Sequence, residues 1–287
     1  MCGEQVSLVI LKKMMEDMEA QISTLTDSIE EVNIHQNYCP FCGAEQTRPK
    51  IEILVNQNVY NYCSCDAMRE HRDKLNNLDF LKQKYDELSQ SFELRKKKAR
   101  GRLENTGIGK RFLEATFDSF DKDSDRNAYE RALEYAQSFG ENEGENIIFI
   151  GDVGTGKTHL AAAIANYIVD KFACSVEFWN YSEVLAEMRA AFWDETKDKN
   201  LESKMCNADL LVIDDLGKEK VSVFSNEVLY RVINYRYKEK LPIVTTTNAD
   251  LDFLYESMGE AVFSRLVCIC QAVKMQGINY RLKKLYY

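Results

Sequence analysis

Residues 146–159 read NIIFIGDVGTGKTH, and a helical stretch, LAAAIANYIV, follows directly. The first five residues form an apolar run of strand length. The glycines after it interrupt both strand and helix periodicity. Within that turn Gly151, Gly156, Lys157 and Thr158 fit the spacing G-x-x-x-x-G-K-[ST]. A glycine loop between a strand and a helix lets successive backbone N–H groups close on phosphate oxygens, while the helix N-terminus adds the positive end of its dipole. Gly151, Asp152, Val153, Gly154, Thr155, Gly156, Lys157, Thr158 and His159 are therefore the candidate nucleotide-binding residues. In this pattern Lys157 reaches the β- and γ-phosphates and the Thr158 hydroxyl ligates Mg2+. A glycine-rich turn alone would mimic part of the pattern, but not all of it in its strand-and-helix setting.

Outward from this turn, from Asn127 onward, strand-like and helical signals alternate. Besides 146–150, short apolar runs stand at 175–179, 210–213, 243–246 and 267–273, most of them separated by amphipathic helical stretches. That alternation predicts an α/β domain built on a five-stranded parallel sheet. The third run, LLVIDDLG, ends in Asp214 and Asp215. Acids at the C-terminal edge of a strand sit where open α/β sheets place their ligands. Asp214 is the candidate for the Mg2+ shell and Asp215 for orienting and deprotonating an attacking water. An acid pair alone is an ordinary strand-end turn; with the glycine loop about 60 residues earlier, it points to nucleotide hydrolysis.

The N-terminal third has a different texture. Leu8, Leu11, Met15, Met18, Ile22, Leu25, Ile29 and Val32 alternate steps of three and four, with no Gly or Pro between them, which predicts one long helix with a heptad seam over 5–34. Leu78, Leu81, Tyr85, Leu88 and Phe92 repeat the spacing in a stretch from Asp66 to about Arg100, and the two helices could pair as a hairpin or the first could pair with another chain. The run LRKKKARGR (94–102), followed by Gly107 and Gly109, reads as a linker. It is either a solvated helix end or a phosphate-contacting patch. The expected domains are residues 1–100, a helical module that carries the first cysteines; 101–126, a linker; and 127–287, the nucleotide domain.

Nine cysteines need assigning. Cys39 and Cys42 form a C-x-x-C, Cys63 and Cys65 a C-x-C, and 20 residues (43–62) lie between the pairs. Four thiolates at that spacing suit a tetrahedral, structural Zn2+ closing a small hairpin, although the shorter second pair leaves His35 or His71 open as a substitute ligand. A redox pair is the alternative. Cys174, Cys206, Cys268 and Cys270 read as buried small hydrophobes. Composition excludes some classes. Apolar residues at 45% and charged residues at 29% support a packed core rather than disorder. A net charge of −9 means that any contact with phosphates must use a local patch. No signal peptide or membrane-spanning run is evident, so a cytoplasmic location is expected.

As an ordered set, GIGKRFLEATFDSF (107–120), GDVGTGKTHLAAAIAN, LLVIDDLG, IVTTTN, FSRL and GINYR resemble the AAA+ ATPases, specifically the DnaC/DnaI-like helicase loaders and the related IstB-like transposition ATPases. The resemblance covers about residues 105–287. It implies ATP and Mg2+ as cofactors, Asn248 as the polar sensor beside the γ-phosphate, Arg265 in FSRL as an arginine finger, and Arg281 in GINYR as a second sensor. It also implies homo-oligomers completed through arginine-finger interfaces, with a replicative hexameric helicase and single-stranded DNA as partners, and slow intrinsic hydrolysis. AAA+ proteins at large carry glutamate where this chain has Asp215; the loader subfamily shares the double aspartate. The 39 residues after Asn248 (287 − 248) imply a reduced or absent lid. An N-terminal zinc module ahead of such a domain resembles the helicase-binding part of DnaI-type loaders, and 181–200 resembles the region by which loaders approach DNA. A transposition helper and a nucleotide-switched adaptor with little hydrolysis are the other readings.

Overall fold

The computed structural model describes residues 2–29, 42–43, 65–141, 144–193, 200–217, 223–268, 270–277 and 279–280. In chain order the elements are α1 (Cys2–Ser28), α2 (Asp66–Glu104), α3 (Arg126–Gln137), β1 (Asn146–Gly151), α4 (Lys157–Phe172), β2 (Val176–Asn180) and α5 (Tyr181–Trp193). They continue with α6 (Leu201–Asn207), β3 (Leu210–Leu216), α7 (Val223–Lys238), β4 (Ile243–Thr247), α8 (Leu251–Met258), α9 (Glu260–Val267) and β5 (Cys270–Met275). Two compact units divide the chain: Ile10–Ser91, and Phe92–Tyr287 together with Met1–Val9.

In the first unit the heptad positions are the protected ones. Met18 is buried, and Leu11, Met15, Ile22, Leu25 and Ile29 are half-buried between exposed polar neighbours. On α2 the same stripe runs through buried Met68 and Leu78 and half-buried Leu81, Tyr85 and Leu88. The Tyr85 hydroxyl donates to the Glu19 carboxylate, so the two helices lie side by side at that level. No described helix is long and apolar enough to cross a membrane.

The second unit is an α/β layer structure whose sheet order is β2-β3-β4-β1-β5, with every pairing parallel. Parallel strands covered by helices should be apolar throughout, and β1, β3 and β4 are buried along nearly their whole length. Because β1 sits beside β4, and β4 beside β3, the C-terminal ends of these three strands open onto one crevice.

Three expectations shift. The basic run 94–102 is not a linker: α2 runs through it to Glu104, because nothing before Gly107 stops a lysine- and arginine-rich helix and Ala99 and Leu103 are buried beneath it. The segment after it also packs, with Ile108, Ala115, Phe117 and Phe120 all buried. The last strand starts at Cys270 rather than Val267, since 260–267 form α9, which buries Val262 and Leu266. Cys268, in the turn between them, is exposed; Cys206 and Cys270 are half-buried, and Cys174 alone of these four is fully buried.

Candidate functional site

The turn after β1 is shaped by what a side chain would strike. Gly156 has φ +99°, a left-handed conformation that favours glycine, and a Cβ there would come within 2.7 Å of the Phe120 ring. At Gly151 a Cβ would run into the Met275 carbonyl oxygen of β5. Lys157, 5% exposed, bends back over the loop, and its Nζ donates to the carbonyl oxygens of Gly151 and Asp152, each at 2.7 Å. Thr155 Oγ1 donates to the Asp152 carbonyl at 2.9 Å, closing the same turn.

The acids arrive from β3. Asp214 is 7% exposed, and one of its carboxylate oxygens accepts two hydroxyls: Thr158 Oγ1 at 2.9 Å from α4 and Thr246 Oγ1 at 2.6 Å from β4. Between β3 and β4 the register slips, with Ile213 opposite Thr245 but Leu216 opposite Thr247. β3 therefore carries one extra residue, a bulge. Asp215 absorbs it at φ +59°, and its N–H donates to Thr246 Oγ1 at 2.9 Å. A non-glycine residue held there costs about 1–3 kcal/mol, a cost found mostly where function fixes a side chain's aim. The Asn248 amide then meets the Asp215 carboxylate at 3.4 Å.

Lys157, Thr158, Asp215 and Asn248 line a cleft of about 840 Å³ together with Arg111, Phe112 and Phe120, and Asp214 lies behind Thr158, to which it is bonded. His159 joins its rim: Nε2 lies 3.0 Å from Ser119 Oγ and 3.1 Å from the Thr116 carbonyl, and its ring centroid lies 5.6 Å from that of Phe120. Asn166 fastens the segment before the domain to α4, since its amide donates to the carbonyls of Phe112 (3.0 Å) and Ala115 (2.9 Å). The Tyr280 N–H donates to the Gly154 carbonyl at 2.9 Å, which brings the GINYR segment onto the loop. Arg281 itself lies outside the described residues.

Arg265 does not line this cleft. Its Nε donates to Asn234 Oδ1 at 3.0 Å and one Nη to the Ala261 carbonyl at 2.6 Å, with the guanidinium carbon 5.6 Å from the Tyr230 ring centre and 5.9 Å from that of Tyr237. Of the four candidate zinc ligands, Cys42 and Cys65 are among the described residues. Cys39, Cys63, His35 and the hairpin between the pairs lie outside the described residues, where Cys42 is exposed and Cys65 half-buried. Among the described residues no group of three or more metal-ligating side chains occurs.

Sequence reasoning missed Thr246 and Asn166. In IVTTTN the asparagine is the evident polar candidate, and only the adjacency of β3 and β4 reveals that the hydroxyl two residues earlier bridges both acids. Asn166 carried no signal beyond being polar in an alanine-rich helix face.

Parallel sheet order, glycine loop, buried lysine and paired acids define a P-loop nucleotide-binding domain of the AAA+ type. The residues fit a magnesium nucleoside triphosphate: a cradle closed to any Cβ, an ammonium already wrapped by the loop, and a hydroxyl and carboxylate that are hard oxygen ligands in mutual contact. Residues 67–286 match the family described as IstB-like ATP binding protein, and the chain belongs to that family. It is 30% identical over 210 residues to the uncharacterised protein YqaM of Bacillus subtilis, covering 66% of this chain and 65% of that one. It is 31% identical over 141 residues to the replicative helicase loader DnaC of Escherichia coli K12, covering 49% of this chain and 57% of DnaC. The match thus spans less than two thirds of either relative's length. A crystal structure of the DnaC helicase loader superposes with a TM-score of 0.53 at 28% identity, covering 58% of this chain and all of that one. A crystal structure of DnaI, at 23% identity and a TM-score of 0.52, shares the fold.

Proposed function

We propose that this chain is an ATP-dependent loader that places a replicative hexameric DNA helicase onto single-stranded DNA. The observation that carries it is the cluster in which Thr158, Asp214 and Thr246 share one carboxylate oxygen at the mouth of a P-loop, in a chain similar to DnaC loaders. Lys157 holds the β- and γ-phosphates in place of its two loop carbonyls, and Thr158 and Asp214 hold magnesium. The metal, when bound, neutralises charge building on the phosphate oxygens. Asp215 takes the proton of the attacking water, and Asn248, whose amide already reaches that carboxylate, fixes the direction of attack.

Arg265 lies outside its own cleft, which suits a finger offered to a neighbouring copy, so hydrolysis belongs to the homo-oligomer. Arg281, adjacent to the residue bonded to Gly154, is the second sensor. Residues 1–100 capture the helicase, and Cys39, Cys42, Cys63 and Cys65 hold a structural Zn2+ there; none of this is membrane work, and the location is cytoplasmic. ATP favours the form that grips strand and helicase, and hydrolysis releases the helicase.

The test uses the full chain with the cognate helicase and a single-stranded template. Lys157→Ala should abolish ATP-dependent loading while capture of the helicase persists. Capture without any loading by the unmodified chain would refute the reading. The rival reading of the motifs is a transposition helper that binds duplex DNA and a transposase; preferential, ATP-dependent binding to duplex would favour it.

A further inference from the structure

The basic run that the nucleotide site leaves unused lines a second cleft. In the unit that holds the sheet, a trough of about 950 Å³ opens between the last turns of α2, the edge strand β2 and α6. Arg95, Lys98 and Arg102 line one wall, and Lys204 lines the other. On a helix, positions i, i+3 and i+7 lie on one face. The residues between them are committed elsewhere: Lys96 and Arg100 pair with Asp170, at 3.6 and 2.8 Å, on the opposite side of α2. Arg95, Lys98 and Arg102 are exposed, and their side chains make no ion pair among the described residues.

The two carboxylates in the trough do not answer them. Glu177 is 7% exposed and accepts the Trp179 indole N–H at 2.9 Å. Asp209 accepts the N–H and the hydroxyl of Ser175 at 2.7 and 2.8 Å. In a chain of net charge −9, three unanswered cations on one stripe mark a place for an external polyanion.

The geometry points to a nucleic-acid backbone: we propose that the α2–α6 trough grips the sugar-phosphate chain of single-stranded nucleic acid through Arg95, Lys98 and Arg102. The stripe rises about 10 Å from Arg95 to Arg102 at 1.5 Å per residue, so its cations can follow successive phosphates of one strand. The trough is deficient in the apolar pockets that would seat peptide side chains. Its apolar lining is alanine methyls, Ala99, Ala173 and Ala208, and the edge of Trp179, which at 6% exposure is too covered to stack on a base. Amides and hydroxyls such as Asn105, Thr106 and Ser203 supply the rest, which favours backbone contact without sequence readout. This deepens the loader reading, on which the choice of a single strand rests, by naming where the strand lies.

The test measures fluorescence anisotropy of a labelled 20-mer of thymidylate, and of a duplex of equal length, against the full chain with ATP and Mg2+ over a range of salt. The variant Arg95→Gln/Lys98→Gln/Arg102→Gln should lose about two from the slope of log K against log salt, at about 0.7 per phosphate contact, and bind the single strand about 100-fold more weakly near 0.1 M salt. Lys97→Gln, exposed on another face, should change the slope by less than one such contact, and nucleotide binding should be unaltered in both. An unmodified chain that binds single strands while the triple variant keeps its slope overturns the trough but leaves the loader standing. An unmodified chain that ignores single strands overturns both. Unchanged DNA affinity together with lost helicase capture in the triple variant assigns the stripe to an acidic protein surface instead, and also overturns the proposal.

Discussion

Replacing Thr246 with valine tests the geometry of the acid pair most directly. The side chain is fully buried in β4 and β-branched, so valine keeps the volume and suits the strand. What it removes is one oxygen with two partners: a donor to Asp214 at 2.6 Å and an acceptor for the Asp215 N–H at 2.9 Å. A hydrogen bond to a charged group contributes about 1.5–3 kcal/mol. If that interaction holds Asp214 in its metal-binding orientation, its loss lowers kcat by about 10- to 150-fold at 1.36 kcal/mol per decade. The stranded Asp215 N–H adds about 1–3 kcal/mol of lost stability. Phosphate release at saturating ATP, Mg2+ and DNA reads the first effect, and urea unfolding reads the second. Thr246→Ser, which keeps the hydroxyl, should stay within about threefold of the unmodified rate. A valine variant that hydrolyses ATP at the full rate would show that the bridge positions nothing.

Other outcomes follow from single contacts. Arg265→Ala should reduce hydrolysis by about 10³ to 10⁵, and mixing it with Lys157→Ala, also inactive, should restore part of the rate, because each protein supplies what the other lacks; no recovery on mixing rules out a finger in trans. Arg236 is fully buried, its guanidinium donates to the carbonyls of Met205, Ala208 and Pro242 at 2.7 to 2.9 Å, and burial lowers its pKa to about 10. Arg236→Met orphans those carbonyls, and with the relief of no longer burying a cation the net loss should be about 2–4 kcal/mol in urea unfolding. Burial, reinforced by the charge of Glu145, pushes the Cys270 thiol up to about 12, from an ordinary value of 9.0. The unfolded chain then releases that proton first, so the contribution of Cys270 to stability should be flat below about pH 9 and fall as pH rises toward 12. Cys270→Ala should lessen that slope, and Cys174, also raised by burial, should keep some of it. An unchanged slope would mean that the Cys270 thiol is in contact with water.

The phosphate loop was legible because its chemistry is local: Gly151 to Thr158 act through their own backbone and through neighbours in sequence. The first four strands were legible because a buried parallel strand is apolar on both faces. What the sequence hid is what depends on strand order. Thr246 matters only because β4 lies between β1 and β3, and the positive φ of Asp215 only because β3 has one residue more than β4 at that point. Val267 reads as strand because an apolar run has no period of its own, and the run holds both the end of α9 and the start of β5. The basic run reads as a linker because charge and glycine are the marks of both a linker and a helix surface; Ala99 and Leu103, both buried, are the apolar residues that tell the two apart.

The same helix bears on both clefts. Arg95, Lys98 and Arg102 face the trough, while from the other side of α2 Arg100 donates to Asn166 Oδ1 at 2.6 Å. The Asn166 amide in turn holds the Phe112 and Ala115 carbonyls, and Arg111, Phe112 and Ala115 line the nucleotide cleft. Asn166 is 4% exposed, so losing a partner there is costly, and a displacement of α2 must either break that bond or carry the 112–115 segment with it. Breaking a bond to a guanidinium costs about 1.5–3 kcal/mol, so a displacement of α2 small enough to leave Ala115 seated is passed on to the 112–115 segment. The second course is therefore favoured, and a strand drawing on the basic face of α2 would reshape the wall against which the nucleotide rests. Spatial continuity alone is not coupling. The coupling energy is the quantity a double-mutant cycle between Asn166 and Lys98 would measure, with ATP affinity read in the presence and absence of the strand.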